Sequence, residues 1–191
     1  MKRALVLIFI LAAAPAFADA LSDMRAAGQA TQRQDYGAAI KLYTQALADQ
    51  SLPAADRAAA FNGRGTAFFG NGDNKRAVAD YGAAIKLAPQ CGACFNNRGM
   101  AENEAEDYDA AIADFGAALK LEPNSWEVLF NRGIAWYHKN DNDQAIADYT
   151  AAIKLKPDCG PCYHNRGMAF QDKGDLDRAN DDLNTADQLK R

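Results

Sequence analysis

Small and apolar residues recur along this chain at helical spacing, and the spacing itself repeats. Ala39, Tyr43 and Ala46 form one triplet; Ala77, Tyr81 and Ala84 the next; then Ala111, Phe115 and Ala118; Ala145, Tyr149 and Ala152; and Ala179, Leu183 and Ala186. Offsets of four and three put each triplet on one face of an α-helix. Alanines on that face let helices approach closely, and the bulkier central side chain fills the gap between them. A second apolar pair accompanies four of the triplets: Ile40/Leu47, Val78/Ile85, Ile112/Leu119 and Ile146/Ile153. On the last segment the pair becomes Asn180 and Asp187. A face that is apolar while another unit follows, and polar where none does, is a capping face. The segment 176–189 is therefore predicted to end an array.

Each segment is preceded by another helical half. Gly65, Gly99, Gly133 and Gly167 stand 34 residues apart, each closing an Asn-Arg-Gly or Gly-Arg-Gly tripeptide. A fixed period of this length is the mark of stacked units. Asp35, Asp73, Asp107, Asp141 and Asp175 stand between the halves, where a carboxylate accepts the free N–H groups of a first helical turn. Pro89, Pro123 and Pro157 stop the second helices. The pattern predicts five helix-turn-helix units at 20–53, 58–91, 92–125, 126–159 and 160–191, with Ala54 to Arg57 as a spacer after the first.

The period, the glycine in the first helix, the two alanines flanking an aromatic and the closing proline together resemble the tetratricopeptide repeat (TPR). The resemblance covers the chain from residue 20 onward. It implies an all-α, right-handed superhelical solenoid. One departure is regular: where that family usually has Leu before the glycine, this chain has Arg64, Arg98, Arg132 and Arg166. Asp80, Asp114, Asp148 and Asp182 recur at one place in the second helices. The first unit loses both, carrying Ala26 and Leu42 instead. Joint gain and loss predicts an Arg–Asp pair between the two helices of each unit.

Composition adds a compartment. Met1-Lys2-Arg3 precedes a wholly apolar stretch from Ala4 to Ala14, and Ala16-Phe17-Ala18 offers a small-x-small cleavage site. This reads as a secretory signal peptide over 1–18, too short for a membrane span. The expected location of the mature chain is periplasmic or secreted, with no membrane association. The formal net charge is −4 and no basic stripe is present, which excludes nucleic acid as an expected partner.

All four cysteines fall in two C-x-x-C motifs, Cys91-Gly-Ala-Cys94 and Cys159-Gly-Pro-Cys162, two periods apart at the same joint between units. The intervening joint has Ser125 and Val128. Three readings stand side by side. An exported chain with an even cysteine count favours a local disulfide in each motif. Cys-Gly-Pro-Cys at a helix start is also the motif of thioredoxin-like oxidoreductases, although no β-α-β pattern surrounds it and Asp158 replaces their Trp. Four thiolates suit zinc, yet motifs two units apart are separated by about 20 Å, beyond the reach of one ion. Haem attachment fails because Phe95 and Tyr163 stand where His is required, and Asp141-Asn142-Asp143 lacks the rest of a calcium loop. No cofactor or metal is expected.

By the tetratricopeptide resemblance the first helices line a concave groove. The implied lining includes Asn62, Phe69, Asn97, Met100, Phe130, Asn131, Ile134, Tyr137, His164, Asn165 and Met168, with Asn96, Asn103 and Glu127 beside them. Side-chain amides both donate and accept, so Asn97, Asn131 and Asn165 suit the backbone of an extended peptide; they equally suit bonding to a neighbouring helix. With Glu127 and no Lys or Arg in this lining, a strongly acidic ligand is not expected. The implied function is a non-catalytic scaffold, monomeric, holding an unidentified protein or peptide. The alternative is a thiol–disulfide redox protein using Cys159 and Cys162.

Overall fold

The structure is a computed structural model that describes residues 13–189, all ten of whose regular elements are α-helices. They are α1 (Ala13–Gln32), α2 (Tyr36–Ala48), α3 (Ala54–Gly70), α4 (Asn74–Leu87), α5 (Gly92–Glu104), α6 (Tyr108–Leu121), α7 (Trp126–His138), α8 (Asn142–Leu155), α9 (Gly160–Asp172) and α10 (Leu176–Leu189). Consecutive helices pair as five antiparallel hairpins, and each hairpin packs only on its sequence neighbours. The odd-numbered helices touch one another in series, α1 to α3 and onward to α9, whereas the even-numbered ones do not. The solenoid therefore curves with the odd helices inside, on the concave face.

Local sequence explains each boundary. All five turn aspartates cap: Asp35, Asp73, Asp107, Asp141 and Asp175 accept the N–H of Ala38, Arg76, Ala110, Gln144 and Arg178. The residue before each aspartate is left-handed, at φ between 60° and 80°: Gln34, Gly72, Glu106, Asn140 and Gly174. Glycine takes this conformation without a Cβ clash; the other three do not. At the far ends, Ala88, Glu122 and Lys156 leave the helical region at φ near −130° ahead of their prolines.

Two boundaries depart from expectation. Residues 54–57 are not a spacer but the first turn of α3, which runs 17 residues where α5, α7 and α9 run 13. Pro53 precedes that turn, where its fixed φ suits a helix start. Helix α1 begins at Ala13, upstream of the predicted cleavage point at Ala18, while the apolar run before Ala13 lies outside the described residues. No helix among the described residues is long and apolar enough to cross a membrane.

The paired alanines of α2, α4, α6, α8 and α10 are all buried, at 0–1 % exposure. The rings between them lie over the first-helix glycines. A Cβ on Gly65, Gly99 or Gly133 would stand 2.8, 2.9 or 2.6 Å from Tyr81, Phe115 or Tyr149. The first hairpin solves the same problem differently. With Ala27 in the glycine's place, the Tyr43 ring leans on the next hairpin, where a Cβ on Gly63 would be 2.4 Å away. Gly63 occupies the position that Asn97, Asn131 and Asn165 hold in later units.

The arginines pair as the sequence predicts. Arg64, Arg98, Arg132 and Arg166 each donate through Nε and Nη2 to both oxygens of Asp80, Asp114, Asp148 and Asp182, at 2.5–2.9 Å. The aspartates are only 6–7 % exposed, so the bidentate guanidinium is what permits a carboxylate there. In the first hairpin, which lacks the pair, Leu42 packs on the apolar cluster around Tyr43.

Candidate functional site

The concave face carries two clefts that share Met100 and Asn131. One is formed by α3, α5, α6 and α7, with Phe69, Asn103, Glu104, Phe115, Ile134 and His138 completing its wall. The other, about 520 Å³, opens at the joint between α7 and α9. Asn96, Trp126, Glu127 and Phe130 form one side of it, and Lys156, Asp158, Cys159 and Pro161 the other. Because the clefts adjoin, they make one groove across the middle of the array.

Of the sequence-predicted lining, Phe69, Met100, Phe130, Asn131 and Ile134 come together in this groove. Asn62 and Asn97 lie beside it and bond to each other: the Asn97 amide donates to Asn62 at 3.2 Å. Asn131 donates likewise to Asn96, also at 3.2 Å. These bonds join consecutive odd helices, and each amide keeps hydrogen-bonding capacity beyond them. Tyr137, His164, Asn165 and Met168 do not line either cleft. Tyr137 packs edge-on against His138 and directs its hydroxyl at Asp172, which raises its pKa. His164 is exposed on α9. Asn165 approaches the Tyr149 hydroxyl without completing a good hydrogen bond, and burial holds that phenol's pKa well above its ordinary value.

Sequence reasoning missed Trp126, Lys156, Asp158 and Pro161. They stand at the joints between units, Trp126 and Pro161 in the first turns of α7 and α9 and Lys156 and Asp158 in the loop between α8 and α9. Their presence corrects one expectation. The groove does contain a cation, since the Lys156 ammonium lies 4.6 Å from the centre of the Trp126 ring.

Both C-x-x-C pairs are joined as local disulfides, Cys91 to Cys94 and Cys159 to Cys162, with Cα atoms 5.2 and 5.3 Å apart. Helices α5 and α9 do not touch, so the four sulfurs cannot gather on one ion. No metal-ligating cluster occurs among the described residues.

One carboxylate elsewhere is out of place. Glu102 occupies the position held by Phe68, Trp136 and Phe170 in the other full units. One of its oxygens is buried without a partner, and its nearest cation, Arg98 Nε at 3.6 Å, is committed to Asp114. Burial first, then the Asp114 charge, pushes its pKa up to about 7; Arg98 opposes this and Asp107 adds to it.

The profile of the tetratricopeptide repeat matches residues 30–90, 62–115, 96–158 and 160–191. The chain belongs to the tetratricopeptide-repeat family. Solved structures agree on the fold. The crystal structure of MamA superposes with a TM-score of 0.77 over 85 % of this chain and 92 % of its own, at 20 % identity. MamA 41-end from Desulfovibrio magneticus RS-1 gives 0.82 over 91 % of this chain and 96 % of its own, at 17 % identity. At such identities the likeness concerns architecture. A search of curated proteins gave no match. Tetratricopeptide-repeat proteins are generally non-catalytic scaffolds for protein–protein interaction, and the described residues from 30 onward have their architecture.

Proposed function

We propose that this tetratricopeptide-repeat protein is an exported scaffold that holds an extended segment of a partner protein in the groove centred on Met100 and Asn131. The observation that carries the reading is the composition of that groove. Apolar side chains (Phe69, Met100, Trp126, Phe130 and Ile134) line it together with the amides Asn96, Asn103 and Asn131. Apolar walls take up alternate side chains of an extended peptide, and amides satisfy its backbone. Methionine and aromatic groups adapt to varied partners. Lys156 and Glu127 stand near one end of the groove, where they favour a segment with both charges over a strongly acidic one. The basic, apolar and small-residue order of residues 1–18 supports export to the periplasm or beyond.

Site-specific photocrosslinking tests the groove. A photoreactive residue at Met100 or Ile134 should crosslink a partner in cells, and one at exposed Ala113 on α6 should not. Crosslinks that form at Ala113 and not at the two groove positions would place binding on the convex side instead. Export is tested separately by the mass of the purified native protein, which should begin at Asp19.

A further inference from the structure

The two cysteine motifs are alike in sequence position and unlike in surroundings. Cys91 and Cys159 are both N-caps: the N–H of Cys94 donates to Cys91 Sγ at 3.1 Å, and that of Cys162 to Cys159 Sγ at 3.2 Å. At the intervening joint the Ser125 hydroxyl accepts the Val128 N–H at 3.4 Å, and Val128 fills the core. Capping and packing at this place therefore do not need sulfur.

What covers each pair differs. Cys159 and Cys162 are 2 % and 0 % exposed and belong to an apolar cluster with Leu129, Ala152 and Ile153, flanked by Trp126, Phe130 and Tyr163. Gly160 between them lies under Ala186 and Leu189 of α10. Cys159 contributes to the groove wall, but almost none of it reaches solvent. Cys91, by contrast, is half-buried, whereas Cys94 is 2 % exposed. Gly92 lies against the carboxylate of Glu122, an exposed side chain at the end of α6.

We infer that the Cys91–Cys94 bridge is a thiol–disulfide exchange site that an external thiol enters at Cys91, while Cys159–Cys162 is sealed. The exchange is polarised because Cys94 is buried and Cys91 is partly exposed. The external thiolate attacks Cys91 Sγ in line with the bridge. A mixed disulfide forms, the Cys91–Cys94 bond breaks, and Cys94 leaves with the electron pair and takes a proton from water. A second external thiolate attacks the external sulfur of the mixed disulfide and releases Cys91. The net change is two-electron reduction of the protein bridge and oxidation of two external thiols to one disulfide. The released Cys91 sulfur remains at the N-terminus of α5 with the Cys94 N–H directed at it. The reactive pair assigned by structure is thus Cys-Gly-Ala-Cys, not the Cys-Gly-Pro-Cys whose sequence is the more suggestive.

The test uses the oxidised full chain, folded, with dithiothreitol. Samples are quenched with an alkylating agent over time and each cysteine is mapped by mass. Cys91 and Cys94 should be alkylated at least about tenfold faster than Cys159 and Cys162, and urea should abolish the difference. A second measurement uses oxidised glutathione. The Cys91 thiol of folded Cys94→Ser should form a mixed disulfide, and the Cys159 thiol of Cys162→Ser should form one only after urea is added. Equal rates for the two bridges in the folded chain, or earlier opening of Cys159–Cys162, would overturn the assignment. So would a Cys91 thiol that stays unmodified until unfolding.

Discussion

Gly133 and Gly116 are both helix-interior glycines, yet their surroundings ask for opposite things. A Cβ at 133 would stand 2.6 Å from the fully buried Tyr149 ring, whereas a Cβ at 116 meets nothing within 4 Å. Gly133→Ala should therefore destabilise by about 1–3 kcal/mol through overpacking. Gly116→Ala should stabilise by about 0.8–1 kcal/mol, the difference in helix propensity. Urea midpoints of the two variants check the contrast. Glu102 makes a second residue-scale prediction. Its folded-state pKa of about 7 lies above the ordinary 4.5, so the folded chain holds this proton more tightly than the unfolded one. The resulting stabilisation is full below about pH 4.5 and is lost as pH rises through about 7. Glu102→Gln should remove that loss, so its urea midpoint should fall less than that of the parent between pH 5 and pH 8. Equal falls in the two proteins would show that Glu102 is not the group responsible. The Arg–Asp pairs were legible in the sequence because both members appear and disappear together. Glu102 is less obvious: the aromatics at its place in the other units, Phe68, Trp136 and Phe170, mark the position as inward-facing, but the neighbouring Glu104, Glu106 and Asp107 make it read as part of a solvated acidic turn.

At the scale of elements, the five turns share one backbone shape while their residues differ. Gly72 and Gly174 are at home at positive φ, and Gln34, Glu106 and Asn140 are held there by the turn. Glu106→Gly should therefore stabilise by about 0.5–1 kcal/mol, read as a raised Tm, because it relieves the left-handed penalty without touching the Asp107 cap. The capping aspartates, the proline stops and the helix pairs are all readable in the sequence, since each is a local rule repeated three to five times. The first turn of α3 is not. Alignment on the glycines leaves no place for residues 54–57, although Ala-Ala-Asp-Arg has good helix propensity and follows a proline. Trp126, Lys156, Asp158 and Pro161 escaped for a related reason: a joint belongs to two units, and a reading unit by unit assigns it to neither face. The asparagines were open between two roles, and two of the pairings that the structure shows, Asn97 with Asn62 and Asn131 with Asn96, run between units.

At the scale of the molecule, the two ends of the array are unlike its middle. Helix α10 buries Ala179, Asp182 and Ala186 and turns Asn180 and Asp187 outward, where α8 has Ile146 and the buried Ile153. Restoring isoleucine at both places should expose an apolar face of the kind that every internal hairpin covers with its successor. Asn180→Ile together with Asp187→Ile should raise the sedimentation coefficient with concentration, by end-to-end association. A double variant as monomeric and soluble as its parent would remove the capping role. The contact pattern of the solenoid also has a mechanical consequence. Every hairpin is held only by the one before and the one after. A chain pulled from its two ends thus meets no clasp between distant segments, and it would yield one hairpin at a time, beginning at whichever end grips less. The two disulfides would not shorten that extension appreciably, since each spans only three residues of chain and hides almost no length.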